Sequence, residues 1–562
     1  MRHIRNFVTR LSINYMAFTV LLALAGVSMR ERQLFGTWIV ATVYTVLHAT
    51  VRRLLLALFL SFIIMTAGLF IFVIDGALLA LTAALTGLTV DSFWSVAASV
   101  LLMSITNVWL EKAFGAIGWR TENSPSAEAE TAVLTGRSTS WRRRLVMLGI
   151  LIGGIIFSAA MAAQVFLATG MLTRSVPTIT AITGIAFACF ALGFAWLAAQ
   201  GLALERRSLF SAIVAAVTSA LIVTPVAVQI LSPPPTLPPL PSVLHDDVHY
   251  WALSTGSHIA YRRFLALENT DRNPIVFVHG GLGRAVLSTD IEFFSLFAAE
   301  GFDVYLYDVV GTGLSGRLDD IRDYTIQRHV RDLEAIRAAI RADQLILIAH
   351  AEGSEIAVRY LSAHRDRVER VVFYSPTPMW NDRAYFDHRT RTASRIIPPN
   401  PVRSVRYVAA LALGLYTPRT AQAYVPQTEM TAWADQLVDE SPMVCSGDEK
   451  LAPVPQAPGY NPYVGVVGDV TDDLPPDPRG HVRDIFVPTI LLRGECDYVD
   501  WAVIEQYDRA LPNMQAYYVR GAGSMIHLSQ PDIVRSIVLA FLNDGPAPAI
   551  PLSDREIQRG PP

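Results

Sequence analysis

The chain has 562 residues, 52% of them hydrophobic and 17% charged, which excludes both a single ordinary domain and a wholly soluble protein. With a formal net charge of -3 and basic residues gathered in short clusters beside apolar runs, no nucleic-acid partner is expected. Of the 46 Lys and Arg only Lys112 and Lys450 are lysines, which together with the abundance of Ala reads as a GC-rich bacterial coding bias.

Residues 1–231 hold the apolar runs. A helix needs about 20 apolar residues to cross a hydrocarbon core. Seven runs approach that length, at 11–29, 34–51, 54–74, 92–111, 145–169, 177–204 and 209–231, so the expected N-terminal architecture is an α-helical transmembrane bundle of about seven spans. The first run is not a cleavable signal peptide, because another apolar run follows almost at once and no small-residue cleavage site precedes a soluble segment. The Gly- and Thr-rich piece from Gly76 to Val90 reads as an interfacial or re-entrant segment. With Asp91-Ser-Phe-Trp94 opening one run and Asn107 near its end, the stretch Leu54 to Leu110 resembles the small four-helix phage-holin-like membrane family.

Orientation follows from loop charge. With the N-terminus inside, the inner segments carry thirteen Lys and Arg, among them Arg52, Arg53, Lys112, Arg142, Arg143, Arg144, Arg206 and Arg207. The outer loops carry three, Arg30, Arg32 and Arg174. Seven spans then put everything after Leu231 outside the cytoplasm, in a protein integral to the bacterial cytoplasmic membrane whose first partner is the lipid bilayer. Cys189 lies in an apolar run, whereas Cys445 and Cys496 lie in the polar half and either stay free or pair, the latter favoured by an oxidising compartment.

Residues 232–244 form a proline-rich linker. Its core, Ser232-Pro-Pro-Pro-Thr-Leu-Pro-Pro-Leu-Pro241, cannot continue a helix, because proline lacks the amide hydrogen and fixes φ. Beyond it, strand-length apolar runs at Ile275–Val278, Asp303–Tyr307, Leu345–Ile348, Val371–Tyr374, Thr489–Leu492 and Ala516–Val519 alternate with helical spacing at Thr325–Arg341 and Glu352–Ala363. That alternation predicts a mostly parallel sheet with crossover helices.

Several motifs follow in order on this frame. His279-Gly-Gly-Leu-Gly283 follows the first central strand; Tyr307-Asp-Val-Val-Gly-Thr-Gly-Leu-Ser315 follows the second. Leu345 to Ser354 reads as a strand, a sharp turn and a helix, Ser375-Pro-Thr-Pro-Met379 leaves a later strand, and Arg493-Gly-Glu-Cys-Asp497 forms a turn near the end. Residues 245–545 thereby resemble the α/β-hydrolase superfamily, particularly its proline-iminopeptidase-like branch. The resemblance implies a cap over the site, here about 380–484, a tail at 546–562, and an oxyanion pocket built by His279, Gly280, Gly281 and the amide of Glu352.

The same resemblance implies a nucleophile, an acid and a histidine in chain order. Asp497 stands at the acid position. At the nucleophile position, within Ala349-His-Ala-Glu-Gly353, stands Ala351, whose methyl group cannot attack a carbonyl. Ser524, in Gly521-Ala-Gly-Ser524, stands where the histidine belongs. An engineered trap would explain Ala351 but not Ser524. His527 is a possible substitute base, if a remodelled loop brings it to Asp497; otherwise it is a packing histidine. Ser354, one turn into the helix, is expected to face the core, and His279 and His350 are expected to be structural. The Glu352 carboxylate, near the pocket, would repel a developing oxyanion.

Losing the serine or histidine costs roughly a millionfold in turnover in serine proteases. The leading reading is therefore an extracytoplasmic ligand-binding, sensing or scaffold domain whose pocket takes a hydrophobic, ester-like or peptide-like small molecule, with no cofactor and no metal. The alternative is a hydrolase, lyase or isomerase/cyclase using Asp497 with His527 or Glu352. A third reading, a transporter or channel in the membrane half, would want ionisable residues inside the spans, which hold almost none beyond His48.

Overall fold

The structure, a computed structural model, describes residues 140–202, 204–232, 247–267, 271–281, 283–380, 405–436, 458–468, 477–497, 499–553 and 556–557. Before residue 140 it describes only 14, 27–29, 39–47, 78–79, 81–82, 85–86 and 88–90. The chain divides into two compact units, Met1–Val228 and Gln229–Pro562.

In the first unit three helices run consecutively: α1 Ser140–Leu172, α2 Val176–Gly201 and α3 Arg207–Leu231. Their parts Met147–Leu172, Val176–Gly201 and Arg207–Leu231 are long and apolar enough to cross a membrane, and they overlap the last three expected spans. Small residues let the backbones approach: a Cβ on Gly154 would stand 2.4 Å from the Phe194 side chain, and one on Gly201 would stand 2.1 Å from Met147. Phe157 meets Phe190 and Phe194 edge-on between α1 and α2. Within α3 the residues Ser219–Val223 form a π turn directly before Pro225. Proline has no amide hydrogen and its ring crowds the carbonyl four residues earlier, so the ladder shifts register there.

The expected spans at 11–29, 34–51, 54–74 and 92–111 lie largely outside the described residues. Residues 39–47 are helical. One expectation is corrected: the end of the first run is not helical, because Val27–Met29 pairs antiparallel with Leu88–Val90, setting Val27 opposite Val90 and Ser28 opposite Thr89. β-branched residues at three of the six positions favour the extended form.

The second unit is built on one eight-stranded sheet. Its strands are β1 His249–Ala252, β2 His258–Phe264, β3 Ile275–Val278, β4 Val304–Tyr307, β5 Leu345–His350, β6 Val368–Tyr374, β7 Thr489–Gly494 and β8 Met514–Val519. Their spatial order is β1-β2-β4-β3-β5-β6-β7-β8. Pairing is antiparallel at β1/β2 and β2/β4 and parallel elsewhere, so the sheet is mixed. The central strands β3, β4 and β5 are buried at every position, as a sheet covered on both faces requires. Strands β1 and β2, which the sequence reading did not find, are only partly buried and carry polar residues, so no apolar run marks them.

Helix α4 is Ser288–Phe294, α5 Ile326–Ile340, α6 Gly353–Ala363, α12 Trp501–Ala510, α13 Ile526–Ser529 and α14 Pro531–Leu542, with five short cap helices, α7 to α11, among the described residues between α6 and α12. Thr325 caps α5 by accepting from the Arg328 amide. On one face of the sheet Phe277, Phe294, Phe297, Ile348, Val372, Leu492, Val534 and Ile537 form a continuous core, with the Phe277 and Phe294 rings stacked at 4.3 Å. The segment after 545 returns along the sheet edge, where the Leu552 amide donates to Ala516 O (2.8 Å) and Trp501 Nε1 donates to Ile557 O (2.5 Å).

The cap helices α7 Val405–Gly414, α8 Pro418–Tyr424, α9 Gln427–Ala434, α10 Pro462–Gly468 and α11 Arg479–Val482 all lie between β6 and β7. The cap grips the loops after β3 and β4 by hydrogen bonds. The Asn461 amide donates to Gly283 O (2.7 Å), the Gly313 amide to Gly459 O (3.0 Å), and Gln427 Nε2 to Leu318 O (2.7 Å).

The backbone also approaches closely at Gly353, where an added Cβ would stand 2.3 Å from Val278 O and 2.6 Å from His279 O. Because both obstacles are main chain, Gly353→Ala is expected to cost about 3 kcal/mol, read as a lowered unfolding transition of the second unit. An unchanged transition would contradict that packing.

Candidate active site

Strand β5 ends at His350 and α6 begins at Gly353, so two residues make the turn. Ala351 sits at its apex with φ 45°, the left-handed region that an L-residue with a Cβ enters only under constraint. Three groups converge on its carbonyl: the amides of Ser354 (3.0 Å) and Thr377 (3.3 Å) and the Thr377 hydroxyl (3.2 Å) all donate to Ala351 O. The Ala351 amide donates to Tyr374 O (3.1 Å). A Cβ built on Gly280 would stand 2.5 Å from the Ala351 Cβ, so the loop after β3 lies directly over that methyl.

Glu352, next in the turn, turns its side chain into this loop. The Gly281 amide donates to Glu352 Oε2 at 2.6 Å. His279 is buried and structural in geometry, its Nε2 accepting from the Val309 amide (3.1 Å) and its Nδ1 lying 3.1 Å from Gly280 O. Ser354 is fully buried, its hydroxyl donating to Ala349 O (3.3 Å).

On the far side of the sheet, the turn after β7 and the loop after β8 are stitched together. The Cys496 amide donates to Ala522 O (2.9 Å) and the Glu495 amide to Val519 O (3.0 Å). Asp497 Oδ1 accepts from the Val499 amide (3.0 Å). Ser524 is buried, its carbonyl accepting from Ser375 Oγ (2.9 Å) and from His350 Nε2 (3.3 Å). Among the described residues its hydroxyl has no hydrogen-bond partner. Cys496 is disulfide-bonded and Cys189 is free; Cys445 lies outside the described residues.

Residues 273–531 match the model of the family described as α/β hydrolase fold, and residues 5–109 match that of the mycobacterial four-span phage holins, superfamily IV. The second unit has an α/β-hydrolase fold. The chain is 32% identical over 129 residues to a proline iminopeptidase of Heyndrickxia coagulans, 22% of this chain and 43% of that relative. It is 21% identical to a proline iminopeptidase of Flavobacterium johnsoniae, over 48% of this chain and 89% of the relative. A solved proline iminopeptidase of Mycobacterium smegmatis aligns at 18% identity over 53% of this chain and 98% of its own, with a TM-score of 0.36. The chain spans less than half of the first of these relatives.

In an α/β-hydrolase fold the turn after β5 presents the nucleophile, and an amide of the loop after β3 helps hold the oxyanion. Here the turn after β5 has Ala351 at its apex, and the Gly281 amide of the loop after β3 donates to the Glu352 carboxylate.

The structure gives His527 partners other than Asp497. Tyr374 Oη donates to His527 Nδ1 and accepts from the His527 amide (2.5 Å). His527 Nε2 lies 3.2 Å from Asp290 Oδ1 without the alignment of a hydrogen bond. The ring thus faces Tyr374 and Asp290. The sequence reading did not find Asp290 or Tyr374. The one local signal was an acid three residues into α4, where Asp290 Oδ2 accepts from the Leu287 amide (3.0 Å). Phe293, Phe294 and Tyr374 close around the His527 ring.

Burial dominates the electrostatics of this floor. It pushes His350 down to about 4 and Tyr374 well above the ordinary phenol value. For Asp290 burial acts upward, but His527, His350 and the Leu287 amide together outweigh it and leave the carboxyl below its usual range. On α5, burial brings His329, whose ring nitrogens have no hydrogen-bond partner among the described residues, down to about 3.

His329 and His350 are neutral in the folded state, whereas the unfolded chain takes up protons below about 6.5. Their contribution to stability is present above that value and is lost as pH falls from about 6.5 toward 4. Asp290 acts in a lower window: its contribution is present above the unfolded value of about 3.8 and is lost as pH falls through its depressed folded value. The unfolding midpoint of the second unit is therefore expected to drop steadily between pH 6.5 and 4, and His329→Leu to reduce that slope. A flat profile in the unaltered chain would contradict the assignment.

Proposed function

We propose that the protein is a membrane-anchored α/β-hydrolase-fold protein whose pocket binds a ligand without hydrolysing it, in a sensing or scaffold role. The observation that carries this is the apex of the turn: Ala351 offers no nucleophile, and the adjacent Glu352 carboxylate holds the Gly281 amide (2.6 Å). A developing oxyanion there would meet an existing negative charge in place of a free donor. Ser524 at the histidine position provides no base, and His527 is held by Asp290 and Tyr374. Asp497 stands at the acid position, its Oδ1 accepting from the Val499 amide (3.0 Å).

The reading takes residues 1–231 as the membrane domain, 232–244 as the linker, and 245–545 as the hydrolase-fold domain with its cap at about 380–484. The excess of Lys and Arg in the inner loops supports an extracytoplasmic second domain, and the disulfide at Cys496 agrees with an oxidising side. The names of the relatives favour a peptide-like ligand, and the apolar environment of the turn favours a hydrophobic one. Acid–base chemistry through Asp497 and His527 is not favoured, because the imidazole has other partners.

Treating the full-length protein with a fluorophosphonate probe tests the reading. The unaltered chain is expected to remain unlabelled and A351S/S524H to gain covalent labelling. Adding E352Q should speed labelling by at least about tenfold by freeing the Gly281 amide. Covalent labelling of the unaltered chain at the turn would falsify the proposal.

A further inference from the structure

At the other end of the sheet, α6 ends at Ala363 and a 3-10 turn, Arg365–Arg367, leads into β6. This segment borders a cavity of about 390 Å³ whose opposite wall is His481 and Ile485, from the stretch leading into β7. The adjacency of β6 and β7 brings the two walls together. We infer that this groove is a binding site for a phosphate group, borne by a soluble ester or by a lipid headgroup, and that it is separate from the pocket at Ala351.

The lining is rich in donors. Arg365, Arg367, His364, His481 and the Ser362 hydroxyl all border the cavity, and two guanidinium groups supply the forked donors that match phosphate oxygens. The one acid of the lining, Asp366, lies 3.8 Å from Arg365 and its side chain is 92% exposed, so it leans to solvent rather than into the groove. His364 is held by its ring contact with Tyr360 (4.9 Å), and His481 by the approach of its Nδ1 to Asp477 O (3.4 Å). One cation would complement the carbonyl end of α6, and two guanidinium groups exceed that need. The volume suits a small anionic group. The Ile485 side chain forms an apolar floor, which an ester-linked carbon would contact.

The test uses the full-length protein in neutral phosphatidylcholine nanodiscs, titrated with inorganic phosphate by calorimetry. Saturable binding is expected, weakened at least tenfold in R365Q/R367Q and tightened about two- to threefold in D366N, as the removal of one exposed like charge predicts. Both variants change exposed side chains, and an unshifted unfolding transition shows that each still folds. In nanodiscs containing anionic phospholipid, weakened phosphate binding identifies the headgroup as the source and unchanged binding identifies a soluble ester. Equal phosphate affinity in R365Q/R367Q and the unaltered chain, or no saturable binding at all, would overturn the inference. Neither result depends on the elbow, because fluorophosphonate labelling reads Ala351 alone.

Discussion

The left-handed backbone at Ala351 is the constraint around which the second domain is arranged. An alanine with φ 45° costs about 1–2 kcal/mol relative to ordinary backbone, and it persists because its surroundings leave no alternative. Gly353 must pass against Val278 O and His279 O, and three donors converge on Ala351 O. In a working nucleophile elbow this strain aims a side chain. Here the side chain so placed is the Ala351 methyl, which lies beneath the loop after β3.

A carboxylate lies at the centre of the polar contacts around that turn. The Gly281 amide donates to Glu352, and a hydrogen bond from an amide to a charged acceptor is roughly twice as strong as a neutral one. Beneath the turn, Asp290, His527 and Tyr374 meet in a buried cluster beside His350. Breaking up such a network leaves buried polar groups unpaired, at about 1–3 kcal/mol each, which accounts for an ionisable cluster in a place with no access to solvent. The cluster fixes the loop carrying Ser524 as much as it fixes His527.

The cap is held by the same loops that build the pocket. Asn461 bonds the loop after β3 at Gly283, and Gly459 bonds the turn after β4 at Gly313, so the cap and these two loops are tied together. In the membrane unit, the π turn before Pro225 and the glycines facing Phe194 and Met147 are packing solutions of a helix bundle, where close backbone approach replaces the hydrophobic effect.

The sequence by itself determined the division into an apolar N-terminal part and a sheet-and-helix second part, because both rest on hydrophobic periodicity and composition, which are local. It determined the last three spans and the strands from Ile275 to Val519 in outline, and it located the turn at Ala351, since fully buried parallel strands read as continuous apolar runs. It did not reveal β1 and β2, whose half-buried residues carry no such run, nor the strand pairing of Val27–Met29 with Leu88–Val90, which depends on a partner far along the chain. Only the tertiary structure decided where His527 points, that Asp290 and Tyr374 hold it, and that the Glu352 carboxylate sits on the Gly281 amide. Those are contacts between segments distant in sequence. Spacing along a chain fixes which face of an element a residue occupies, but which side chain meets it there is set by how the elements pack.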